Sequence, residues 1–186
     1  MSDADDPYPI NHEMDPTFLA LGRVASAWSS LEYMIQRGIW EIANVEQHVG
    51  ACITAQIVPP SGKCRAYIAL IALQQPPKPL IGKLNRFGSR VDAKARMRNR
   101  YIHDPWTYNT TKNWPARLEV TADKQLKYGP VQTEPKELEE FRRQVCELIH
   151  HFQLLHAEVL AALPPSPRKR YAQSAGIALV PLNPDN

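Results

Sequence analysis

Two residues in the middle of the chain have side chains that could act on a phosphodiester. Arg98 and His103 lie five positions apart in the run Arg98-Asn99-Arg100-Tyr101-Ile102-His103, directly before Asp104-Pro105-Trp106. An arginine can bind two phosphate oxygens at once and stays charged throughout a reaction. A histidine can take up and release a proton near neutral pH. The pair could therefore supply positive charge and proton transfer to a phosphate group.

The spacing of the two residues bears on whether they can act together. On an ideal helix, five residues subtend about 500°, which leaves about 140° after a full turn. Arg98 and His103 would then diverge, and they could meet at one phosphate only if the helix end is distorted or a second copy supplies the complement. Asn99 lies between them in projection and one turn before His103, so it could orient the imidazole.

The element that carries this run is predicted to be an amphipathic helix that begins near Leu80. It should end close to His103, because Asp104 precedes a proline and is disfavoured in helical geometry. Its apolar face is predicted to comprise Leu80, Leu84, Phe87, Val91 and Ala95, and to continue through Arg98 and Ile102.

The other faces of the same helix carry a local concentration of positive charge. The basic side chains are Lys83, Arg86, Arg90, Lys94, Arg96 and Arg100, against the single acid Asp92. Of these, Lys83, Arg86, Arg90, Lys94 and Arg100 are candidates for contacts with an RNA backbone. A charged helix face can equally be simply solvated, and both interpretations remain open here.

A long first helix is predicted from Asp15-Pro16 to about residue 46, since Asp can cap a helix and Pro suits its first turn. The apolar stripe assigned to it is Phe18, Leu21, Ala25, Trp28, Glu32, Ile35, Ile39 and Ile42. Glu32 is the carboxylate in this stripe, and its burial requires a cationic or hydrogen-bonding partner. Arg98 is the predicted partner, either as a structural ion pair between two helices or as support for the site.

The remaining periodicity predicts a mainly α fold. Residues 49–58 and 63–74 would form a broken second helix or a helical pair, and residues 115–130 a small β-hairpin. The last long helix would begin near residues 133–137 and extend to Leu163. Its predicted apolar stripe is Leu138, Phe141, Val145, Leu148, Phe152, Leu155 and Val159.

These elements predict a four-helix-type bundle, with a small β-hairpin inserted before the last long helix. Residues 1–15 would be a flexible leader, residues 16–163 the helical domain and residues 164–186 a Pro-rich basic tail that contains Arg168-Lys169-Arg170.

Composition excludes several classes of protein. The net charge of +3 is too small to argue for nucleic-acid binding by the whole surface. The three cysteines show no C-x-x-C spacing, so neither disulfides nor a zinc knuckle is indicated. His150, His151 and His156 lack the H-E-x-x-H order, so we expect no metal and no cofactor. Without a signal peptide or an apolar run of about 18 residues, the chain is expected to be cytoplasmic and not membrane-bound.

The run Arg98-Asn99-x-x-x-His103 resembles the R-x(4-6)-H motif of the HEPN superfamily, in which a polar residue often follows the arginine. The predicted helices, with Glu32 as an acid within the first, are similar to the architecture of that superfamily. The resemblance implies a metal-independent endoribonuclease that acts as a homodimer, with Arg98, Asn99 and His103 in the site and Glu32 supporting it. A toxin or defence role, with an antitoxin as partner, is also implied.

Other functions remain compatible with the same residues. The chain could be a catalytically inactive helical module that binds RNA or a protein through its basic helix or tail. It could also be a nucleotide-binding partner of a nucleotidyltransferase-type protein, which is a further role suggested by the superfamily resemblance.

Overall fold

The computed structural model describes residues 11–122 and 126–163, which form a mainly helical fold with one small antiparallel sheet. The five helices are α1 (Asp15–Ala43), α2 (Gln47–Ala55), α3 (Pro60–Ala72), α4 (Lys78–His103) and α5 (Pro135–Ala162). The strands β1 (Trp106–Asn109), β2 (Trp114–Ala122) and β3 (Leu126–Gln132) lie between α4 and α5 in sequence. Most of the predicted leader and the whole predicted tail, residues 164–186, lie outside the described residues.

The helix boundaries follow from local chemistry. Proline occupies the first turn of α1, α3, α4 and α5, where its missing N–H costs no hydrogen bond. As predicted, α4 ends at His103, and Asp104 before Pro105 has the extended angles φ −72° and ψ 140°. A short 3-10 helix, His12–Met14, precedes α1 and buries Met14, so ordered structure begins within the predicted leader.

The apolar stripe predicted for α5 is confirmed, and that of α4 is confirmed from Leu80 to Ala95. Its predicted continuation is only half-buried at Arg98 and Ile102, and Tyr101 is the buried residue there instead. Every residue from Leu80 to Ala95 in the α4 stripe and from Leu138 to Val159 in the α5 stripe is buried. Because each of these helices presents one continuous apolar face, its periodicity is sufficient to identify the buried side.

The stripe predicted for α1 is wrong in part. Phe18, its first residue, is 48% exposed, whereas Val24, Ala27 and Leu31 are fully buried although none of them was in the stripe. The reason is that α1 packs against α2, α3 and α5, so its apolar residues cover more than one face. Glu32 therefore lies at the edge of the buried face and is only partly buried.

Polar contacts show how the long helices run. Arg23 pairs with Glu139 at 3.0 Å near the beginnings of α1 and α5, and Glu41 contacts His156 at 3.1 Å near their ends. These two helices are therefore parallel. Lys83 near the beginning of α4 pairs with Glu158 near the end of α5 at 2.6 Å, so α4 and α5 are antiparallel. The shorter α3 packs against both α1 and α4.

The predicted hairpin is confirmed as β2 and β3, with Val120 opposite Tyr128. The four-residue strand β1 was not predicted, and it pairs with the other side of β2. Two backbone carbonyls at the end of α4 and just after it accept hydrogen bonds from the sheet. The amide of Leu118 donates to the carbonyl of Pro105 at 2.8 Å, and the indole of Trp106 donates to the carbonyl of Tyr101 at 2.9 Å.

Among the described residues, no helix is both long enough and apolar enough to cross a membrane.

Candidate functional site

Arg98, Asn99 and His103 lie on the last two turns of α4. Arg98 is half-buried, and its Nη1 donates a hydrogen bond to Oδ1 of Asn99 at 3.2 Å. Its Nε is buried and has no hydrogen-bond partner. Within the described part of the chain no carboxylate pairs with Arg98, so its positive charge is not neutralised by an ion pair.

His103 is the last residue of α4, and its side chain is exposed. Over residues 11–122 and 126–163 there is no side-chain hydrogen bond or ion pair to this imidazole, and none joins it to Arg98. Asn99 bonds to Arg98 and not to His103, so the expected orientation of the imidazole by Asn99 is not present. The imidazole is therefore free to meet a ligand or a second copy of the chain.

The predicted ion pair between Glu32 and Arg98 is wrong. Glu32 accepts a hydrogen bond from the indole of Trp28 at 2.7 Å and one from Nζ of Lys63 at 3.2 Å. Because α3 packs against both α1 and α4, it brings Lys63 to this carboxylate, and the Lys63 side chain is only 8% exposed. The ion pair of Glu32 with Lys63 thus links α1 to α3, and Glu32 does not support Arg98. A lone lysine near the start of a short helix offered no sequence signal for this role.

A cluster of charges holds the end of α4 against the sheet. Arg117 on β2 is buried and forms an ion pair with Asp104, the residue after His103. A second arginine, Arg100, pairs with Glu119 on β2 at 2.8 Å, and Arg117 lies 4.0 Å from the same carboxylate. The helix end that carries His103 is therefore fixed by charges from a separate element. Sequence patterning alone did not indicate a role for Arg117 or Glu119.

The basic face of α4 is partly used by contacts with α5. Besides the Lys83–Glu158 ion pair, Nη1 of Arg90 donates to Nδ1 of His151 at 2.9 Å. Arginine can only donate, so Nδ1 of His151 must be unprotonated in this contact. Burial, followed by the charge of Arg90, lowers the pKa of His151 and favours that neutral form.

The other predicted RNA-binding residues differ in their availability. Lys94 donates to the amide oxygen of Gln144 and lies 5.7 Å from the ring centroid of Phe141, so it keeps its positive charge. Arg86 is exposed, and no side-chain hydrogen bond or ion pair engages it in the described part of the chain. Arg100 is already paired with Glu119. In the described part of the chain no carboxylate pairs with Arg86, Arg90 or Lys94, whereas Lys83 and Arg100 each form an ion pair with one.

A groove of about 530 Å³ lies beside this region, between α4 and the first half of α5. Met97, Tyr101, Phe141 and Gln144 are among its lining residues, but Arg98 and His103 do not line it. Burial raises the pKa of Tyr101, so its hydroxyl stays protonated. The predicted catalytic residues are therefore on the helix surface and not within this groove.

No group of three or more His, Cys, Asp or Glu residues that could hold a metal occurs among the described residues. Comparison of the chain with protein-family models, curated proteins and solved structures found no match. The resemblance to the HEPN superfamily therefore stays a prediction that depends on the motif and the helical architecture.

Proposed function

We propose that this chain is a HEPN-like endoribonuclease that needs no metal and cleaves RNA through attack of its 2′-hydroxyl. The observation that supports the proposal best is the state of the motif. No carboxylate in residues 11–122 and 126–163 pairs with Arg98, and His103 is exposed at a helix end that Arg117 and Asp104 hold in place. We further propose that the helices form a four-helix-type bundle.

The chemistry assigns a role to each side chain. The 2′-oxygen attacks phosphorus, the bond from phosphorus to the 5′-oxygen breaks, and the products are a 2′,3′-cyclic phosphate and a 5′-hydroxyl. His103 would take the proton of the 2′-hydroxyl as general base and return it to the leaving 5′-oxygen as general acid, while Arg98 would stabilise negative charge on the phosphorane oxygens. Asn99 would hold the guanidinium of Arg98 through the hydrogen bond seen at 3.2 Å.

The proposed active unit is a homodimer. Arg98 and His103 diverge on α4 and make no contact with one another, so one protomer offers an incomplete site. A second copy that packs against the same helix ends would place its His103 opposite Arg98. The RNA backbone would be held mainly by Arg86, Arg90 and Lys94, because no carboxylate of the described residues pairs with them.

The test is an RNA cleavage assay in the presence of EDTA, with His103→Ala compared with the wild type. Loss of a general acid–base group should lower the cleavage rate by about 10²-fold or more. His150→Ala is the matched control, since His150 is also exposed on a long helix but lies outside the motif. The control should cleave like the wild type and yield 2′,3′-cyclic phosphate ends. Equal cleavage by His103→Ala would contradict the proposal.

The alternative functions have distinct outcomes in the same experiment. A wild-type chain that retards RNA in a gel without cutting it would indicate a binding module. A nucleotide retained through purification would favour a partner of a nucleotidyltransferase-type protein. For the ribonuclease we propose a cytoplasmic toxin or defence role, in which an antitoxin protein would restrain cleavage.

A further inference from the structure

An apolar groove on the opposite side of α1 from α5 has no part in the proposed function. It has a volume of about 490 Å³ and is formed by α1, α2 and α3, with Val45, Ile53, Leu70 and Leu73 among its lining residues. Ile53 is 51% exposed and Leu73 is 79% exposed. A concave apolar surface of this size is within the range of protein binding sites.

The walls of the groove favour an apolar occupant. Thr54 contributes a hydroxyl, but it already accepts a hydrogen bond from the indole of Trp40 at 3.0 Å and donates one to the carbonyl of Gly50 at 2.9 Å. The side chains around it are aliphatic or aromatic. A charged or strongly polar ligand would therefore lose its hydration without gaining hydrogen bonds.

The end of α5 packs against α1 and α3, two of the helices that form this groove, on their far side. His156 contacts the hydroxyl of Tyr67 on α3 at 2.7 Å and the carboxylate of Glu41 on α1 at 3.1 Å. Tyr67 follows the groove residue Ala66, and Glu41 follows the groove residue Trp40. Leu163 is seven residues beyond His156, which corresponds to roughly 10 Å along a helix. The chain therefore leaves the described fold beside two of the three helices that form the groove, about one helix diameter from it.

The residues that follow contain a segment of matching chemistry. Residues 164–176 are rich in proline and polar side chains, and they are followed by the apolar run Ile177-Ala178-Leu179-Val180-Pro181-Leu182. We propose that residues 177–182 bind in the apolar groove of their own chain. The intervening 13 residues can span roughly 43 Å, which exceeds the helix remainder and one helix diameter together, roughly 20 Å.

Because the segment and the groove belong to one chain, even weak binding is sufficient to keep the groove occupied for much of the time. A connection of this length gives an effective concentration on the order of 1 mM. A segment that binds as a free peptide with a Kd of about 1 mM would then occupy the groove half of the time. Binding in this way would also remove an exposed apolar surface from water.

The experiment measures methyl NMR spectra of the full chain and of the variant Leu179→Asp. Placing a charge within residues 177–182 should shift the methyl signals of Ile53, Ala66 and Leu73, while those of the buried core residue Leu148 stay unchanged. Asn183→Asp is the matched control, because it adds the same charge outside the apolar run and should leave the groove signals in place.

A peptide of residues 175–186 provides a second measurement. Added to a chain that ends at Gly176, it should restore the full-length groove signals, and the peptide with Leu179→Asp should bind at least tenfold more weakly. Groove signals that are the same in the full chain, the truncated chain and Leu179→Asp would overturn the proposal. A full chain whose groove signals change on dilution together with dissociation of a dimer would also overturn it, because the segment would then come from a second copy.

Discussion

Replacing Arg117 by methionine tests the role of the charge cluster at the end of α4. The substitution keeps the length of the side chain but leaves the Asp104 carboxylate without its ion-pair partner. Breaking a buried ion pair by removing one member costs about 3–5 kcal/mol. The Asp104 side chain is 17% exposed, and Glu119 keeps Arg100 as a partner. The expected loss is therefore at the lower end, about 3 kcal/mol of the free energy of unfolding.

The assay is urea unfolding followed by tryptophan fluorescence, since Trp106 and Trp114 lie in the sheet that the cluster anchors. With a slope of about 2 kcal/mol per M, the midpoint for Arg117→Met should fall by about 1.5 M. The control is Arg96→Met, because Arg96 pairs with Asp92 on the same helix but its side chain is 71% exposed. An exposed pair of this kind contributes about 0.5 kcal/mol or less.

A double-mutant cycle isolates the ion pair from other effects of the substitution. Arg117→Met and Asp104→Asn, measured singly and together, should give a coupling energy of at least about 1 kcal/mol. The contrary outcome would be a cost of Arg117→Met no greater than that of Arg96→Met, or additive effects of the two substitutions in the cluster. Either result would mean that the end of α4 is not held by these charges.

Four further predictions concern other parts of the fold. Lys63→Met should lower the free energy of unfolding by about 2 kcal/mol in the same urea assay, because Glu32 would keep only its indole partner. Gly50→Ala should cost about 1–3 kcal/mol by thermal unfolding, since an added Cβ would lie 2.4 Å from the neighbouring indole ring. Gly22→Ala, with no atom within 4 Å of the added Cβ, should instead stabilise α1 by about 0.4–1 kcal/mol. Burial is the main cause that lowers the pKa of His151 from 6.5 in the folded chain. As the pH falls below 6.5, the unfolded chain therefore binds more protons at this residue than the folded chain does. The contribution of this histidine to stability should be complete above that pH and decline below it, and unfolding curves of His151→Gln should lack this part of the decline.

The two motif residues differ from the charged residues around them in whether they have ionic partners. The helix end is held firmly by Arg117 and Asp104, yet Arg98 and His103 are left without ionic partners among the described residues. Structural residues normally satisfy their charges within the fold. A positioned pair without such partners is consistent with a site completed from outside the protomer, which is why the cleavage assay needs the dimeric state to be measured alongside it.

The sequence was sufficient to predict the position of each element that buries a single face. The helices α4 and α5 repeat apolar residues at one helical spacing, and the prolines at their first turns and after Asp104 locate their ends. The hairpin of β2 and β3 was also predicted, because alternation marks both strands. The strand β1 was missed, since four residues carry too little alternation and its pairing depends on β2 being in place.

The tertiary structure decided which side chains meet. On α1 the apolar residues surround more than half of the helix, so periodicity could not choose between the face of Phe18 and the face of Val24. The partner of Glu32 is 31 residues away on α3, and that of Arg100 is 19 residues away on β2. The position of Glu32 in an apolar stripe indicates that its carboxylate needs a cationic or hydrogen-bonding partner. Only the packing of helices and sheet brings one particular cation within hydrogen-bonding distance. The sequence thus determined the motif and the helix that carries it, and tertiary contacts determined that no carboxylate of the described residues pairs with Arg98.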